Sequence, residues 1–442
     1  MPATNTGLIA AHFVRARWRW ATLRGPILRR YQERHARQIV AYTQQHSPFY
    51  RAHWAGHDPR HWRSLPLVDK RLMMAHFAGF NTVGIRRDAA MALALRAEGD
   101  RDFTPTLGGY TVGLSSGTSG HRGLFLASAW EQAAWAGTIL ARTIHRLGQR
   151  LRVAFFLRSN SNLYEQAGGA FIQLRFFDLM TPLAAAIAAL NAFAPDVIIG
   201  PASLLGLLAT ARQRGTLHAR PRRLIAVAEV LEPDDQIRLA SVFGVRVEQI
   251  YQCTEGLLAI SCAAGSLHIQ EDLVALQLAR LPGEPAAAPR VTPIVTDLWR
   301  RTQPIIRYRL NDVLQMDPRP CRCGSHFRVI RAIEGRCDDL CFFVSDDGSR
   351  RPFFADTIRR MILLAHPAIS DYQAVQEQPG ALRIHLDSAP GVPFDSVAAA
   401  LRASVETTIA GYGCRPARLE IWPGVPPPVP GAKRRRVVRV AG

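Results

Sequence analysis

Short apolar runs alternate with helical segments through the middle of the chain. The apolar runs have the length of buried strands, and the segments between them have helical spacing. In chain order the elements are strand 153–157, helix 182–193, strand 197–199, helix 203–214 and strand 224–227. This alternation predicts a doubly wound parallel sheet. It also puts Gly200 directly after a strand, where such sheets bind ligands.

The pattern changes twice further along the chain. Strands at 268–269, 273–278, 292–297 and 305–308 follow one another without helices, which indicates a small antiparallel β region. The later order is strand 341–344, helix 353–365, strands 371–377 and 381–387, helix 394–409 and strand 417–421. We therefore predict an α/β fold with two domains. Residues 1–336 form a large N-terminal domain of doubly wound mixed sheets with the antiparallel β region, and 337–442 form a small, mobile C-terminal α+β (βαββαβ) domain.

Residues 1–50 are predicted to form basic helices. The chain has no run of eighteen apolar residues, and arginines interrupt its apolar stretches near the N-terminus. These features exclude a transmembrane helix and a signal peptide, so we expect a cytoplasmic protein. Ordinary packing helices are the favoured interpretation, and weak association with a membrane surface or a partner is the alternative. The proline-rich tail from Pro423 onward is expected to be an extended, mobile arm.

The chain is strongly basic, and its positive charge comes almost wholly from arginine. Its 442 residues carry a formal net charge of +20, and the only lysines are Lys70 and Lys433. The arginines are scattered, and no zinc-finger or helix-turn-helix pattern accompanies them, so we expect no nucleic acid partner. The charge favours an acidic protein or another anionic partner.

The most informative stretch is Leu-Ser-Ser-Gly-Thr-Ser-Gly-His-Arg-Gly at residues 114–123. A strand-like lead-in at 110–114 precedes it, and a helical segment at 130–140 follows it. Small residues expose main-chain N–H groups and hydroxyls, which are the groups that bind phosphate. No Gly-Lys-Ser/Thr follows, so this is not a lysine-bearing P-loop. A glycine-rich surface turn is the alternative interpretation.

Three later segments carry polar groups suited to a nucleotide. At 251–256, after a predicted strand, Thr254 can offer a hydroxyl to phosphate and Glu255 a carboxylate to Mg²⁺. A strand-end turn is the alternative there. Within 296–312, an aspartate that ends a strand can accept two hydrogen bonds from a ribose diol. At 334–339, an arginine can reach phosphate as a fork donor.

In this order the segments resemble the adenylate-forming superfamily of acyl-CoA ligases, luciferases and peptide-synthetase adenylation domains. Residues 115–120 resemble its phosphate loop, and 251–255 resemble its tyrosine-to-glutamate segment. Ile-Arg-Tyr-Arg-Leu-Asn-Asp at 306–312 resembles a block of the phenylacetate–CoA ligase branch, and Gly-Arg-Cys-Asp-Asp at 335–339 resembles the hinge. The resemblance covers nearly the whole chain and implies ATP-dependent activation of a carboxylic acid.

The resemblance also implies a role for each matching residue. The phosphate loop would consist of Ser115, Ser116, Gly117, Thr118, Ser119 and Gly120. Other contacts would be Ala228 and Glu229 beside adenine, Tyr251, Asp312 on the ribose, Arg336 near the ribose and α-phosphate, Thr254 on phosphate and Glu255 on Mg²⁺. Asp338 would be the hinge, and Lys433 would neutralise charge at the α-phosphate as pyrophosphate leaves. A merely basic tail is the alternative for Lys433.

Cysteine and histidine positions predict a metal site near the antiparallel region. Cys262, His268, Cys321 and Cys323 supply three thiols and one imidazole, which is a closed tetrahedral zinc set. The phenylacetate branch carries a similar Cys-x-Cys-Gly. Small buried thiols are the alternative. The odd count of 7 cysteines argues against a disulfide framework.

The substrate and the acceptor are predicted from two further features. Asn162, Tyr164, Gly200 and Tyr251 are candidate residues of the acyl pocket, and a tyrosine with small residues suits a flat aromatic acid. Residues 30–51 resemble the adenylate-forming enzymes of aryl-polyene (xanthomonadin-type) pigment synthesis, which load hydroxybenzoate-type acids onto acyl carrier protein. We therefore expect a 3-hydroxybenzoate-like acid and an acyl carrier protein thiol.

The expected cofactors are ATP, Mg²⁺ and a structural Zn²⁺, and two alternative functions stay open. An aryl-CoA ligase of the phenylacetate or benzoate type would use coenzyme A, which is also anionic. A basic, non-enzymatic binding protein would show no acid-dependent exchange of pyrophosphate into ATP.

Overall fold

The computed structural model describes residues 3–114, 123–144, 150–157, 172–179, 181–281, 290–337, 340–353, 355–427 and 435–440. The chain forms two compact units. The first comprises Met1–Leu310 and Leu314–Ile333, and the second comprises Asn311–Val313 and Glu334–Gly442. A mobile domain that begins at residue 337 stays a prediction.

The helices of the first unit precede its sheet and connect its strands. They are α1 (Ala3–Thr22), α2 (Gly25–His46), α3 (Pro48–His53), a 3-10 helix (Pro59–Ser64), α4 (Lys70–Ala75), α5 (Phe77–Phe80), α6 (Arg87–Asp100), α7 (Ala129–Thr143), α8 (Leu183–Phe193), α9 (Ala202–Gln213) and α10 (Pro233–Phe243). The helices predicted at 182–193 and 203–214 are confirmed as α8 and α9.

Most strands of the first unit are short, and the last two extend into the second unit. They are β1 (Thr111–Leu114), β2 (Leu124–Ala127), β3 (Leu151–Leu157), β4 (Ile172–Asp178), β5 (Val197–Gly200), β6 (Arg223–Val227), β7 (Val247–Cys253), β8 (Gly256–Ser261), β9 (Leu267–Ile269), β10 (Val274–Arg280), β11 (Arg290–Asp297), β12 (Tyr308–Arg309), β13 (Asp312–Asp317) and β14 (Val329–Arg336). β1 and β2 form a separate antiparallel pair.

Within the described residues, twelve strands form one mixed sheet. Their order is β10-β11-β13-β14-β9-β8-β7-β6-β5-β3-β4, with β12 paired to β11. The strands from β7 to β4 are parallel, as predicted. The antiparallel strands are not a separate region, because β8 pairs with β7 and continues the same sheet.

Alternate residues of the central strands enter two different cores. In β6, Ile225 and Val227 pack into a cluster with Trp62, whereas Leu224 and Ala226 pack into a second cluster with the helices that connect the strands. This two-residue period follows from strand geometry, and it means that both faces of the sheet are covered. The α/β fold class is therefore confirmed.

The N-terminal helices pack against the rest of the first unit. A Cβ atom at Gly137 of α7 would lie 2.6 Å from the Cβ of His12 in α1, so the close approach of these helices requires glycine. Arg19 of α1 and Arg142 of α7 both pair with the buried carboxylate of Asp272, at 2.9 and 3.0 Å. The packing-helix interpretation is confirmed. No described helix is both long and apolar enough to cross a membrane.

The second unit is a small α+β structure. Its elements are β15 (Cys341–Val344), β16 (Arg350–Phe353), α11 (Ala355–Leu363), β17 (Ile369–Gln376), β18 (Ala381–Ser388), α12 (Phe394–Gly411), β19 (Arg418–Pro423) and β20 (Val437–Arg439). Helix α12 buries Val397, Leu401 and Val405, which recur every four residues along one helical face. The described part of its main sheet has the order β19-β18-β17-β20.

The C-terminal tail differs from the extended, mobile arm predicted for it. Val437–Arg439 form strand β20, which pairs in parallel with β17 from Ala374 to Gln376. Pairing with an existing strand satisfies main-chain groups that a free arm would leave to water. Lys433 itself lies outside the described residues.

Candidate active site

The Thr254–Glu255 pair forms the tip of a tight β-hairpin. β7 ends at Cys253 and β8 begins at Gly256, and these two residues are paired across the turn. A two-residue connection of this kind holds both side chains in a defined direction. The sequence predicted polar residues after a strand here, and in the structure these residues form the tip of the hairpin.

Glu255 is a buried carboxylate that lies beside the Thr254 hydroxyl and Tyr308. Its exposure is 7%, and its Oε2 accepts a hydrogen bond of 2.8 Å from the Thr254 hydroxyl. Among the described residues, no arginine or histidine lies within ion-pair distance of it. Burial, followed by the charge of this carboxylate, raises the pKa of Tyr308 well above its usual range. A buried carboxylate without an ion pair among the described residues is costly, and a bound cation such as Mg²⁺ would compensate its charge.

The loop at 297–303 lies directly beside this tip. Asp297 ends β11, and its Oδ1 accepts main-chain N–H hydrogen bonds from Trp299 and Arg300 at 2.8 and 2.9 Å. Burial, partly offset by these bonds, raises the pKa of Asp297 to about 6. Asp297 is the aspartate in this segment that ends a strand. Its exposure is 2%, so it is not available to a ribose.

Buried side chains connect loop 297–303 with the elements around residues 115–122. Arg300 donates to the carbonyl oxygens of Thr254 and Leu126, at 2.5 and 3.2 Å. Gln303 accepts from Leu126 N–H at 2.9 Å and donates to Leu124 O at 3.2 Å, so it binds β2 as a neighbouring strand would. These contacts hold the hairpin tip and β2 against one loop.

Glu131 fixes the same loop from the start of α7. Its Oε2 accepts from the Ser128 N–H in the capping box, and its Oε1 accepts from the N–H groups of Arg301 and Thr302 at 2.7 and 2.8 Å. A carboxylate bound by several main-chain donors is strongly fixed. Sequence reasoning missed Glu131, Arg300 and Gln303. Ser128-x-x-Glu131 is the recognisable capping-box pattern, but nothing local identifies the other two.

Two described strands, β1 and β2, flank the predicted phosphate loop. β1 confirms the predicted lead-in strand, and β2 returns antiparallel to it, with Leu114 paired to Leu124. The loop residues Ser115, Ser116, Gly117, Thr118, Ser119 and Gly120 lie outside the described residues, as do Asn162, Tyr164 and Asp338.

The other predicted nucleotide and pocket residues of the first unit lie at the ends of parallel strands. Gly200 ends β5, and Tyr251 lies half-buried in β7. Ala228 follows β6 with a φ of +67°. Glu229 caps the start of α9, because it accepts from the Ser203 N–H and hydroxyl at 2.8 and 3.0 Å. The carboxylate of Glu229 therefore has a structural role that the sequence did not suggest.

Asp312 and Arg336 are brought together in the second unit. Arg336 Nε lies 3.6 Å from Asp312 Oδ1, and both side chains are partly buried. Asp312 begins β13 rather than ending a strand. Their pairing puts a carboxylate and a guanidinium side by side, which is the combination that the resemblance assigns to ribose and phosphate.

The four predicted zinc ligands form one cluster. The ligand atoms of Cys262, His268, Cys321 and Cys323 all lie within 4.8 Å of one another. Cys262 Sγ lies 3.7 Å from Cys321 Sγ, and Cys323 Sγ lies 3.4 Å from His268 Nε2. Tetrahedral zinc with bonds of about 2.3 Å to sulfur places neighbouring sulfurs about 3.8 Å apart. The spacing therefore fits a zinc ion.

Groups around the cluster prepare it for a metal. His268 Nδ1 donates to the Phe327 carbonyl at 2.8 Å, which directs Nε2 toward the thiols. Burial disfavours the Cys321 thiolate, but hydrogen bonds with the Ser266 hydroxyl and the Cys323 N–H outweigh this and lower the pKa of Cys321 to about 6, whereas burial raises the pKa of Cys323 to about 12. Thiolate and neutral imidazole are the forms that bind zinc.

Comparisons with known proteins give the fold. No protein-family model and no curated protein matches the chain. A crystal structure of 2-hydroxyisobutyryl-CoA ligase with R3-HIB-AMP matches with a TM-score of 0.71 and 17% identity, covering 96% of this chain and 91% of that one.

Two ligases of aromatic acids also match, over a smaller share of each chain. The anthranilate CoA ligase AuaEII with anthranoyl-AMP has a TM-score of 0.51 and 13% identity, and covers 73% of this chain and 66% of that one. A benzoate CoA ligase from Burkholderia xenovorans LB400 has a TM-score of 0.50 and 15% identity, with coverage of 73% and 67%. At identities this low, the matches show that the fold is shared with these ligases.

Proposed function

We propose that this protein is an ATP-dependent, AMP-forming ligase that activates an aromatic carboxylic acid and transfers it to a thiol. The observation that carries the proposal is Glu255, a buried carboxylate at a hairpin tip with no ion pair among the described residues, in a fold shared with acid–CoA ligases. Such a group suits an Mg²⁺ ion that arrives with the phosphates of ATP.

Different residues have different roles in the first half-reaction, which forms the acyl-adenylate. The substrate carboxylate oxygen attacks the α-phosphorus of ATP, and the bond to the pyrophosphate oxygen breaks. The loop at 115–120 and the Thr254 hydroxyl hold the β- and γ-phosphates, while Asp312 and Arg336 hold the ribose and α-phosphate. Glu255 would hold Mg²⁺, which when bound offsets the charge of the phosphates. Lys433 neutralises charge that develops at the α-phosphate.

The second half-reaction makes the thioester. A thiolate sulfur attacks the carbonyl carbon of the acyl-adenylate, and AMP leaves with the electrons of the acyl–oxygen bond. The small C-terminal domain turns about Asp338 between the two steps. This turning rests on the resemblance of residues 335–339 to the superfamily hinge.

Cys262, His268, Cys321 and Cys323 hold a structural Zn²⁺ in this proposal. Four protein ligands leave no open position, and a closed tetrahedral site of this kind stabilises the fold without taking part in chemistry. The compact spacing of the ligand atoms supports this assignment.

We infer a 3-hydroxybenzoate-like acid and an acyl carrier protein as acceptor. Two of the matching ligases are named for anthranilate and benzoate, which supports a flat aromatic acid. The net charge of +20 would attract an acidic carrier protein electrostatically. The matching ligases are named for coenzyme A, so an aryl-CoA ligase is the second candidate.

Acid-dependent exchange of labelled pyrophosphate into ATP tests the proposal. We expect exchange with one or more hydroxybenzoic acids from a panel. If no acid stimulates exchange, the protein is not an adenylating enzyme, and a basic binding protein becomes the better account. Transfer of the activated acid to holo carrier protein, compared with coenzyme A, then separates the two acceptors.

A further inference from the structure

We propose that Arg300 is a positioning residue for adenylation. It holds the Glu255 hairpin and the strand that leaves the phosphate loop in one fixed relation. This inference rests on the proposed function, because it assumes that Mg²⁺ and the triphosphate bind between these two elements.

The contacts of Arg300 connect two elements that are far apart in the chain. Its exposure is 1%. One guanidinium nitrogen donates to Thr254 O at 2.5 Å, and the other donates to Leu126 O at 3.2 Å and to Gln303 Oε1 at 2.7 Å. Thr254 is the residue before the candidate Mg²⁺ ligand, and Leu126 lies in the strand that follows residues 115–122.

This geometry requires the planar fork of arginine. A guanidinium offers donors on two nitrogens at a fixed angle, so one side chain can bind both carbonyl oxygens at once. A lysine ammonium carries the same charge on one nitrogen and lacks that fixed fork. Substituting lysine for Arg300 therefore keeps the buried charge but loosens one of the two elements.

Arg300 holds the tip without occupying the carboxylate. It binds the carbonyl of Thr254 and makes no ion pair with Glu255 among the described residues. The acidic residue near Arg300 is Asp297, whose carboxylate already accepts hydrogen bonds from main-chain N–H groups. The Glu255 carboxylate stays available for a cation, which a purely structural ion pair would not allow.

The rest of the loop makes this arrangement rigid. Gln303 fixes β2 through Leu124 and Leu126, and Glu131 fixes the main chain of Arg301 and Thr302. Arg300, Gln303 and Glu131 each make at least two hydrogen bonds in this buried network, so the loop can transmit position from one element to the other, although the Nε of Arg300 has no hydrogen-bond partner among the described groups.

Calorimetric binding of a non-hydrolysable ATP analogue, with and without Mg²⁺, tests the proposal. We expect Arg300→Lys to weaken binding of the Mg²⁺ complex by roughly 10- to 100-fold, as is usual when the support of a metal ligand is lost. Arg142→Lys is the matched control, because Arg142 is also buried and also donates to a main-chain carbonyl, that of Ala16. It should lower stability and leave this affinity unchanged.

A double-mutant comparison separates positioning from a general structural role. In a Glu255→Gln background, Arg300→Lys should change the affinity for the Mg²⁺ complex by less than about twofold, because its effect acts through Glu255. Additive effects in the double variant would overturn the proposal. So would an Arg300→Lys protein that is less stable but binds as tightly as the wild type.

Two further outcomes keep the result clear. Gln303→Met removes a hydrogen-bond acceptor of Arg300 and leaves the charge of Arg300 unchanged. It should weaken binding of the Mg²⁺ complex by less than Arg300→Lys does. This variant tests the proposal even if the Arg300→Lys protein does not fold. Wild-type protein that neither binds the analogue nor exchanges pyrophosphate contradicts the proposed function itself. If the wild type binds the analogue and the variants bind it equally tightly, only the role of Arg300 is contradicted.

Discussion

The two candidate metal sites differ in how much of the coordination the protein supplies. The cluster of Cys262, His268, Cys321 and Cys323 provides four ligands, three soft thiols and one imidazole, within 4.8 Å of one another. The hairpin tip provides one hard carboxylate, Glu255, with a hydroxyl beside it. A complete set of thiol and imidazole ligands suits a permanent Zn²⁺, and a single carboxylate suits Mg²⁺ that shares its coordination with phosphates and water.

The two sites also differ in the elements that hold their ligands in place. The cluster joins two segments of the first unit, the β8–β9 pair with Cys262 and His268, and residues 321–327, whose Phe327 carbonyl orients His268. The hairpin tip is held from outside, by Arg300 and loop 297–303. The cluster contains all four of its ligands, whereas a site that must meet a substrate depends on surrounding elements being kept in register.

The largest expected effect belongs to the tip. Glu255→Gln keeps the shape of the side chain and removes the charge that Mg²⁺ would compensate. We expect pyrophosphate exchange to fall by at least about 100-fold, because metal-assisted charge stabilisation is worth several kcal/mol. Zinc content should be unchanged. Glu406→Gln, on the exposed surface of α12, is the control and should keep full activity. A loss of less than about tenfold would contradict the role of Glu255.

Substitutions in the zinc cluster should lower zinc content and stability far more than activity. Cys321→Ser removes one zinc ligand, so we expect metal analysis to show loss of bound zinc and thermal unfolding to show a marked loss of stability. Adenylation by the fraction that stays folded should be affected far less than by Glu255→Gln. Cys337→Ser, outside the cluster, is the control. Freshly purified wild-type protein without zinc would contradict the assignment.

A smaller effect is expected from Asp297, which supports the tip. Its pKa of about 6 lies above the ordinary value of 3.8, so the folded state binds a proton that the unfolded state has lost. The contribution of Asp297 to stability therefore falls as pH rises from about 4 to about 6, by about 3 kcal/mol. Asp297→Asn keeps an oxygen for the two N–H donors and removes this decline.

Urea unfolding across that pH range measures the difference directly. Relative to the Asn variant, the wild type should lose stability between pH 4 and pH 6 and then run parallel to it. Parallel curves over the whole range would show that Asp297 ionises normally, and that loop 297–303 does not isolate it from water.

The zinc cluster and the alternating strands could be predicted because their signals are local. Each pair of ligands lies within a few residues, as Cys262 with His268 or Cys321 with Cys323 do, so spacing alone limits the geometry. The β6 strand was recognisable for the same reason, since its apolar run needs no distant partner to be identified.

The support of the tip could not be predicted in this way. Arg300 binds main-chain carbonyls of Thr254 and Leu126, and any residue type offers a carbonyl, so no sequence pattern marks the partners. Asp297 and Asp312 illustrate the same limit. Both lie in a recognised segment, but only the fold shows that one is bonded to its own loop and the other to Arg336.

The most direct test of the account is mass spectrometry of the products formed from ATP, Mg²⁺ and a panel of benzoic acids. We predict an acyl-adenylate with a hydroxybenzoic acid, formed by wild-type protein and absent with Lys433→Ala and Glu255→Gln. Absence of any acyl-adenylate with the wild type, or its undiminished formation by both variants, would contradict the account.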